Sequence, residues 1–175
     1  MHVFTHLKPE SQGRTGLGLE PDGMVEHDGH VGQLLKKLDD LGIAGNTIVV
    51  YTSDNGAEMM TWPDGGSTPF RGEKATNFEG GYRLPTLIRW PGVIKPGTVY
   101  NDFFAHEDFL PTFAAAAGNT DVVEQCMHDC KLGNESFHVH LDGYNLKPFF
   151  TGDVKDSPRK EFLYWSDEGT PLPYG

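Results

Sequence analysis

The sequence predicts an α/β fold, and three observations carry that expectation. Val31, Leu34, Leu35, Leu38 and Leu41 recur at helical spacing, with Lys36, Lys37, Asp39 and Asp40 on the opposite side. A short Gly45-Asn46 turn follows, and then a β-branched run from Thr47 to Thr52 that reads as a buried strand. That run is almost uninterrupted in its apolar character, the pattern of a strand covered on both faces.

Residues 1 to 20 are polar and irregular, with no sustained period. Asp22 is the expected N-cap of the helix and Gly42 its stop. Asp54 and Asn55 fall just past the carboxyl end of the strand, the edge where open α/β sheets bind ligands. Residues 57 to 83 have no clean period and read as a long functional loop. Leu84 to Trp90 reads as a second strand, with Pro85 near its start, where a missing donor is tolerated. Pro91-Gly92 and Lys95-Pro96-Gly97 are turns. His106 to Ala117 reads as a helix ended by Gly118 and interrupted or kinked at Pro111. Asn119 to Val139 is loop-like. Leu141 to Leu146 is a turn leading to Pro148-Phe149-Phe150, and Glu161 to Ser166 is a candidate short strand.

A chain of 175 residues suffices for one domain with a sizeable core. Its net charge of −11 argues against a generic nucleic-acid surface, which needs clustered Lys and Arg. An anionic partner must therefore be drawn by a local positive site or a metal. No apolar run reaches the length of about 18 residues that a membrane span requires, and no signal-peptide pattern follows Met1. Cys126 and Cys130 flank His128, but a structural zinc site needs a second ligand pair that the sequence lacks. A local disulfide or two free thiols are the remaining readings.

Two segments carry the candidate chemistry. Asp54 and Asn55 place a carboxylate and an amide oxygen side by side, the ligand types of Ca²⁺ and Mg²⁺. Asp-Asn-Gly is also a strong turn sequence, so an Asx-type turn is the competing reading. Lys74 sits among glycines that let backbone approach a ligand closely. Its ammonium is suited to hold a sulfate or phosphate oxygen, or to protonate a leaving oxygen. The competing reading is a loop lysine paired with Glu73 or Glu79. Arg71 and Arg83 are expected to brace this loop against acidic neighbours. His138 and His140 alternate as on a strand, one exposed and one half-buried. His2 and His6 lie in the irregular start, where a histidine can act on protons or anions.

Taken in order, these pieces resemble the sulfatase family, its arylsulfatase-like members in particular. Ser53-Asp54-Asn55-Gly56 resembles the family's second metal-binding segment. The stretch from Arg71-Gly72-Glu73-Lys74 through Glu79-Gly80-Gly81-Tyr82-Arg83-Leu84-Pro85 resembles its lysine signature at nearly every defining position. Arg89-Trp90-Pro91-Gly92, His106-Glu107-Asp108-Phe109-Leu110-Pro111-Thr112 and Leu141-Asp142-Gly143 follow in the family's order.

The resemblance implies an alkaline-phosphatase-like three-layer α/β/α sandwich, here incomplete. It implies hydrolysis of sulfate esters by a calcium-bound formylglycine, with Asp54 and Asn55 as metal ligands and Lys74 on the sulfate. His2 matches the family's active-site histidine, with His6 the second choice. The family's nucleophile motif, Cys/Ser-x-Pro-x-Arg, does not occur in this sequence, nor do its paired N-terminal aspartates. Residues 1–175 are therefore expected to form the C-terminal part of one catalytic domain, inactive alone. The implied partner is a small-molecule or glycan sulfate ester, and the implied location periplasmic or secreted. A phosphodiesterase or phosphonate hydrolase of the same superfamily, or a non-catalytic sulfatase-like binding protein, are the alternatives.

Overall fold

The structure, a computed structural model, describes residues 6–161, 163 and 164. These group into two compact units, one reaching to Arg89 and joined by Tyr164, the other Trp90–Leu163. The candidate residues His6, Asp54, Asn55 and Lys74 all belong to the first.

The first unit is built on helix α1, Leu19–Asp40. Its C-terminus stops as expected: Gly42 takes φ +67°, its N–H donates to the Asp39 carbonyl, and Ile43 N–H donates to the Leu38 carbonyl. Those two bonds satisfy carbonyls that the helix leaves open, and glycine supplies the left-handed turn without a Cβ penalty.

Its N-terminus differs from expectation. Asp22 lies inside the helix, is only 3% exposed, and accepts hydrogen bonds from Thr15 N–H (2.7 Å), Thr15 Oγ1 (2.7 Å) and Gly13 N–H. It therefore fastens the preceding loop to the helix instead of capping it. The cap comes from far along the chain, where Asp64 Oδ2 accepts the Glu20 N–H at 3.0 Å. The local N-cap position is Gly18, and a Cβ there would run into the Asp64 carboxylate. Helical spacing located α1 correctly, but its apolar stripe is not a buried face. Leu34 is 68% exposed, while Val31, Leu35 and Leu38 are half-buried.

Strand β1, Val49–Tyr51, pairs antiparallel with β2, Leu87–Arg89, in the register Val49↔Arg89, Val50↔Ile88 and Tyr51↔Leu87. Both are shorter than the expected strands, and β1 is half-buried where burial on both faces was expected. It pairs with this one strand, and the ring of His27 lies 5.7 Å from that of Tyr51. Thr52 Oγ1 and Thr86 Oγ1, 3.0 Å apart, continue the pairing toward the Asp54 loop. The segment from 57 to 83 is irregular as expected, apart from the one-turn helix α2, Glu79–Tyr82.

The second unit contains α3 (Phe109–Ala116), α4 (Val122–Met127), β3 (Cys130–Leu132), β4 (Glu135–Phe137) and α5 (Lys147–Thr151). Pro111 does not kink α3. It falls in the first turn, whose N–H groups have no intrahelical acceptor. Gly118 ends α3 as Gly42 ends α1, with Gly118 N–H on the Ala115 carbonyl and Asn119 N–H on the Ala114 carbonyl. The stretch read as a loop from Asn119 to Val139 instead holds α4 and the β3–β4 hairpin, whose register is Cys130↔Phe137. Elements this short carry too few residues to display a period. His138 and His140 lie beyond β4, and both are exposed, paired with Asp129 (3.1 Å) and Asp142 (3.0 Å). The candidate strand from Glu161 to Ser166 lies partly outside the described residues; Glu161, Leu163 and Tyr164 are not in a strand.

An aromatic cluster forms this unit's core: Tyr100 packs on Phe149 (4.8 Å between centroids) and Phe150 (5.5 Å), and Phe104 on Phe109 (5.4 Å). Beside it lies a buried ion pair. Asp108, fully buried, accepts Arg159 Nε at 2.7 Å and Nη2 at 2.8 Å, with Ala105 N–H (2.9 Å) and Tyr144 N–H (2.7 Å) filling its remaining lone pairs. Arg159 also donates to the carbonyls of Asp142 and Glu161, both at 3.0 Å. Its hydrogen bonds with Asp108 push the guanidinium pKa up still further.

Two outcomes follow. Arg159→Ala strands a buried carboxylate and should cost about 3–5 kcal/mol in denaturant unfolding, whereas Asp108→Leu with Arg159→Met should cost far less than the sum of the single changes. Asp22, held below its ordinary pKa by the Thr15 and Gly13 hydrogen bonds, stabilises the fold above that ordinary value. Its contribution is lost as pH falls through the folded-state pKa. Asp22→Asn should therefore be less stable than wild type at neutral pH, with the gap closing under acid; a gap independent of pH would contradict this.

Candidate functional site

The Asp54 loop and the Lys74 loop are brought together by backbone. Gly56 N–H donates to the Gly81 carbonyl at 2.8 Å, and Lys74 N–H donates to the Ala57 carbonyl at 2.9 Å. Such contact requires residues without side chains. A Cβ on Gly56 would collide with the Gly80 carbonyl, one on Gly80 with the Gly72 carbonyl, and one on Gly81 with the Thr76 carbonyl. The glycines of the lysine loop thus serve its own close packing, with Gly72 in addition at φ +85°.

Glu73 and Lys74 both reach the segment that leaves Asn55. The Glu73 carboxylate accepts Met59 N–H at 2.6 Å and Met60 N–H at 3.2 Å. The Lys74 ammonium faces Glu58 at 3.6 Å, with the two side chains 21% and 29% exposed. Lys74 therefore pairs with neither Glu73 nor Glu79, as the competing reading had it. Glu58 is fixed in turn by Thr61 Oγ1, which donates to its other carboxylate oxygen at 2.7 Å. At 3.6 Å the ammonium is beyond the 2.7–2.9 Å typical of a charge-assisted hydrogen bond. Among the described residues its three donors have no hydrogen-bond acceptor.

Arg83 pairs with Glu79 at 3.0 Å and lies over the Phe70 ring, as a bracing residue should. Arg71 braces through an aromatic ring instead of an acid, with its guanidinium carbon 3.9 Å from the Phe78 centroid.

Asp54 is exposed and, among the described residues, accepts one long bond, 3.4 Å, from Ser53 Oγ. Asn55 is half-buried, and its Nδ2 donates to the Gly56 carbonyl at 2.9 Å, while Oδ1 has no hydrogen-bond donor among the described residues. Neither side-chain oxygen accepts a backbone N–H, so no Asx turn closes this loop. A carboxylate and an amide oxygen on adjacent residues match the donor set of a hard cation. Calcium takes six to eight oxygens, and no group of three or more His, Cys, Asp or Glu converges among the described residues. The pair thus fits part of a coordination sphere. His2 lies outside the described residues. His6 is exposed, and no hydrogen bond or ion pair joins it to either loop. Cys126 and Cys130 are buried free thiols, and burial together with the Cys130 thiol raises the Cys126 pKa.

The Sulfatase family model matches residues 21–119, which contain both loops. The chain belongs to the sulfatase family. It is 39% identical over 172 residues to the steryl-sulfatase of Rattus norvegicus, covering 94% of this chain and 27% of that protein. It is 40% identical over 155 residues to arylsulfatase A of Bos taurus, covering 88% and 27%. The crystal structure of PsFucS1 sulfatase from Pseudoalteromonas sp. superposes with a TM-score of 0.79 at 31% identity, covering 95% of this chain and 31% of that one. The α/β architecture is accordingly that of the sulfatases, present in part, and the chain spans about a quarter of the length of the relatives it matches. No helix among the described residues is long and apolar enough to cross a membrane.

Sequence reasoning missed Glu58, Thr61 and Asp64. Each lies in a loop without periodicity, and its only signal was a polar side chain between two motifs. Among sulfatase-loop glycines, Gly80→Ala should lower stability by about 1–3 kcal/mol through overpacking. Gly66→Ala, with nothing near its Cβ position, should stay within about 0.5 kcal/mol; equal losses in thermal melts would refute the packing argument.

Proposed function

We propose that this chain forms one wall of a sulfate ester hydrolase site, with Asp54 and Asn55 toward a calcium ion and Lys74 toward the sulfate. The observation that supports this reading most is the backbone docking of the Lys74 loop onto the loop that carries Asp54 and Asn55. It joins the loop that carries the Lys74 ammonium to the loop that carries the two oxygen ligands.

In this reading the residues act in three ways. Asp54 and Asn55 hold two positions on the cation. Calcium, when bound, supplies positive charge to the sulfate oxygens. Lys74 holds a sulfate oxygen as a point charge, and its ammonium proton stabilises the oxygen from which the ester bond departs. The formylglycine nucleophile and the active-site histidine come from outside the described residues. The substrate class is a sulfate ester of a small molecule or glycan; the names of the steryl and aryl relatives support the first.

The test joins this chain to an upstream sulfatase segment that carries formylglycine. Lys74→Ala should lower kcat on p-nitrophenyl sulfate by about 10²–10³-fold, the loss typical of removing one preorganised charge-stabilising donor. Asp54→Asn should weaken Ca²⁺ binding measured by calorimetry. Unchanged turnover in the lysine variant, or unchanged Ca²⁺ affinity in the aspartate variant, would each remove the corresponding role.

A further inference from the structure

Among the described residues Glu58 is the acidic group that faces the Lys74 ammonium, and nothing in the reading above uses it. Three features make it a built feature and not a passing surface pair. Thr61 anchors one carboxylate oxygen at 2.7 Å. Glu73 pins the following backbone through Met59 and Met60. The remaining oxygen stands 3.6 Å from Nζ, near enough to offset its charge and too far to occupy its donors. Among the described residues the ammonium is thus charge-balanced yet free to donate.

From this arrangement we infer that Glu58 is a specificity-determining residue that selects singly charged esters over doubly charged ones at Lys74. The inference rests on Lys74 as the anion contact. A sulfate monoester carries one negative charge, whereas a phosphate monoester carries about 1.5–2 at neutral pH. The repulsion from a fixed carboxylate scales with the ligand's charge, so it falls about twice as heavily on the dianion. At roughly 6 Å in a solvent-like dielectric that repulsion is about threefold in affinity for a monoanion and about ninefold for a dianion. Glu58 separates ligands by charge and not by central atom, so a phosphodiester, also a monoanion, is not excluded.

The experiment measures binding of phenyl sulfate and phenyl phosphate to the full chain at pH 8, low salt and saturating Ca²⁺, by NMR titration of backbone amides. Glu58→Gln, which keeps the shape and removes the charge, should tighten phenyl sulfate about threefold and phenyl phosphate about ninefold. Glu58→Asp should retain most of the wild-type preference. The difference should collapse near 1 M ionic strength, where screening shortens to about 3 Å. Equal changes for both esters, or equal losses in Gln and Asp variants with intact amide spectra, would overturn the inference. Lys74→Ala separates the two layers. If it leaves phenyl sulfate binding unchanged, the lysine reading fails, and Glu58 selectivity with it; if it weakens binding while Glu58→Gln leaves the ratio alone, only the Glu58 inference fails. Absence of binding of either ester to wild type and Glu58→Gln alike overturns both.

Discussion

Close approach of backbone to backbone at Gly56, Gly72, Gly80 and Gly81 is the constraint on which the candidate site depends. A side chain on Gly56 would collide with the Gly80 carbonyl and hold the two loops apart, whereas side chains on Gly80 and Gly81 would collide with the Gly72 and Thr76 carbonyls and disrupt the lysine loop itself. The hydrogen bond from Gly56 N–H to the Gly81 carbonyl uses that close approach, and the one from Lys74 N–H to the Ala57 carbonyl joins the loops a second time. The glycine signature is therefore a packing requirement first, and its relation to an anion follows from what the packing positions. Paired negative and positive groups then tune a surface that already exists.

The second unit uses a different physical device. Asp108 and Arg159 lie buried together, with nearly every polar atom of the pair given a partner, among them Tyr144 N–H and the Asp142 and Glu161 carbonyls. Gly143 permits this by lying against the Glu107 backbone, where a Cβ would collide. The His-Glu-Asp and Leu-Asp-Gly signatures thus meet in space around one arginine. A buried pair of this kind contributes little net stability over an apolar replacement, but leaving one partner alone is costly.

Much of the fold was legible because its longer elements obey simple periodicities. The spacing of Val31 to Leu41 marked α1, Gly42 and Gly118 marked two helix ends, and β-branched residues marked β1. Burial was less legible: spacing shows that Leu34 and Leu38 share a face, not whether anything covers it. Asp22 misled for a related reason. An aspartate near a helix start is a good cap by type, but a competing partner, Thr15, claimed its carboxylate. The candidate residues Asp54, Asn55 and Lys74 could be proposed because their motifs are local, and the sequence order joined them. Glu58 and Asp64 act across loops, where no local pattern announces them.

The Asp64–Glu20 hydrogen bond ties the first turn of α1 to the loop that holds Glu58 and, further along, Lys74. Closing that contact requires the intervening chain to give up its freedom, a cost that grows only slowly with length. Helix start and loop are then ordered or released as one cooperative body. Exchange of the Glu20 amide proton is thereby a gauge of loop order, located away from the anion contact and readable without any ligand.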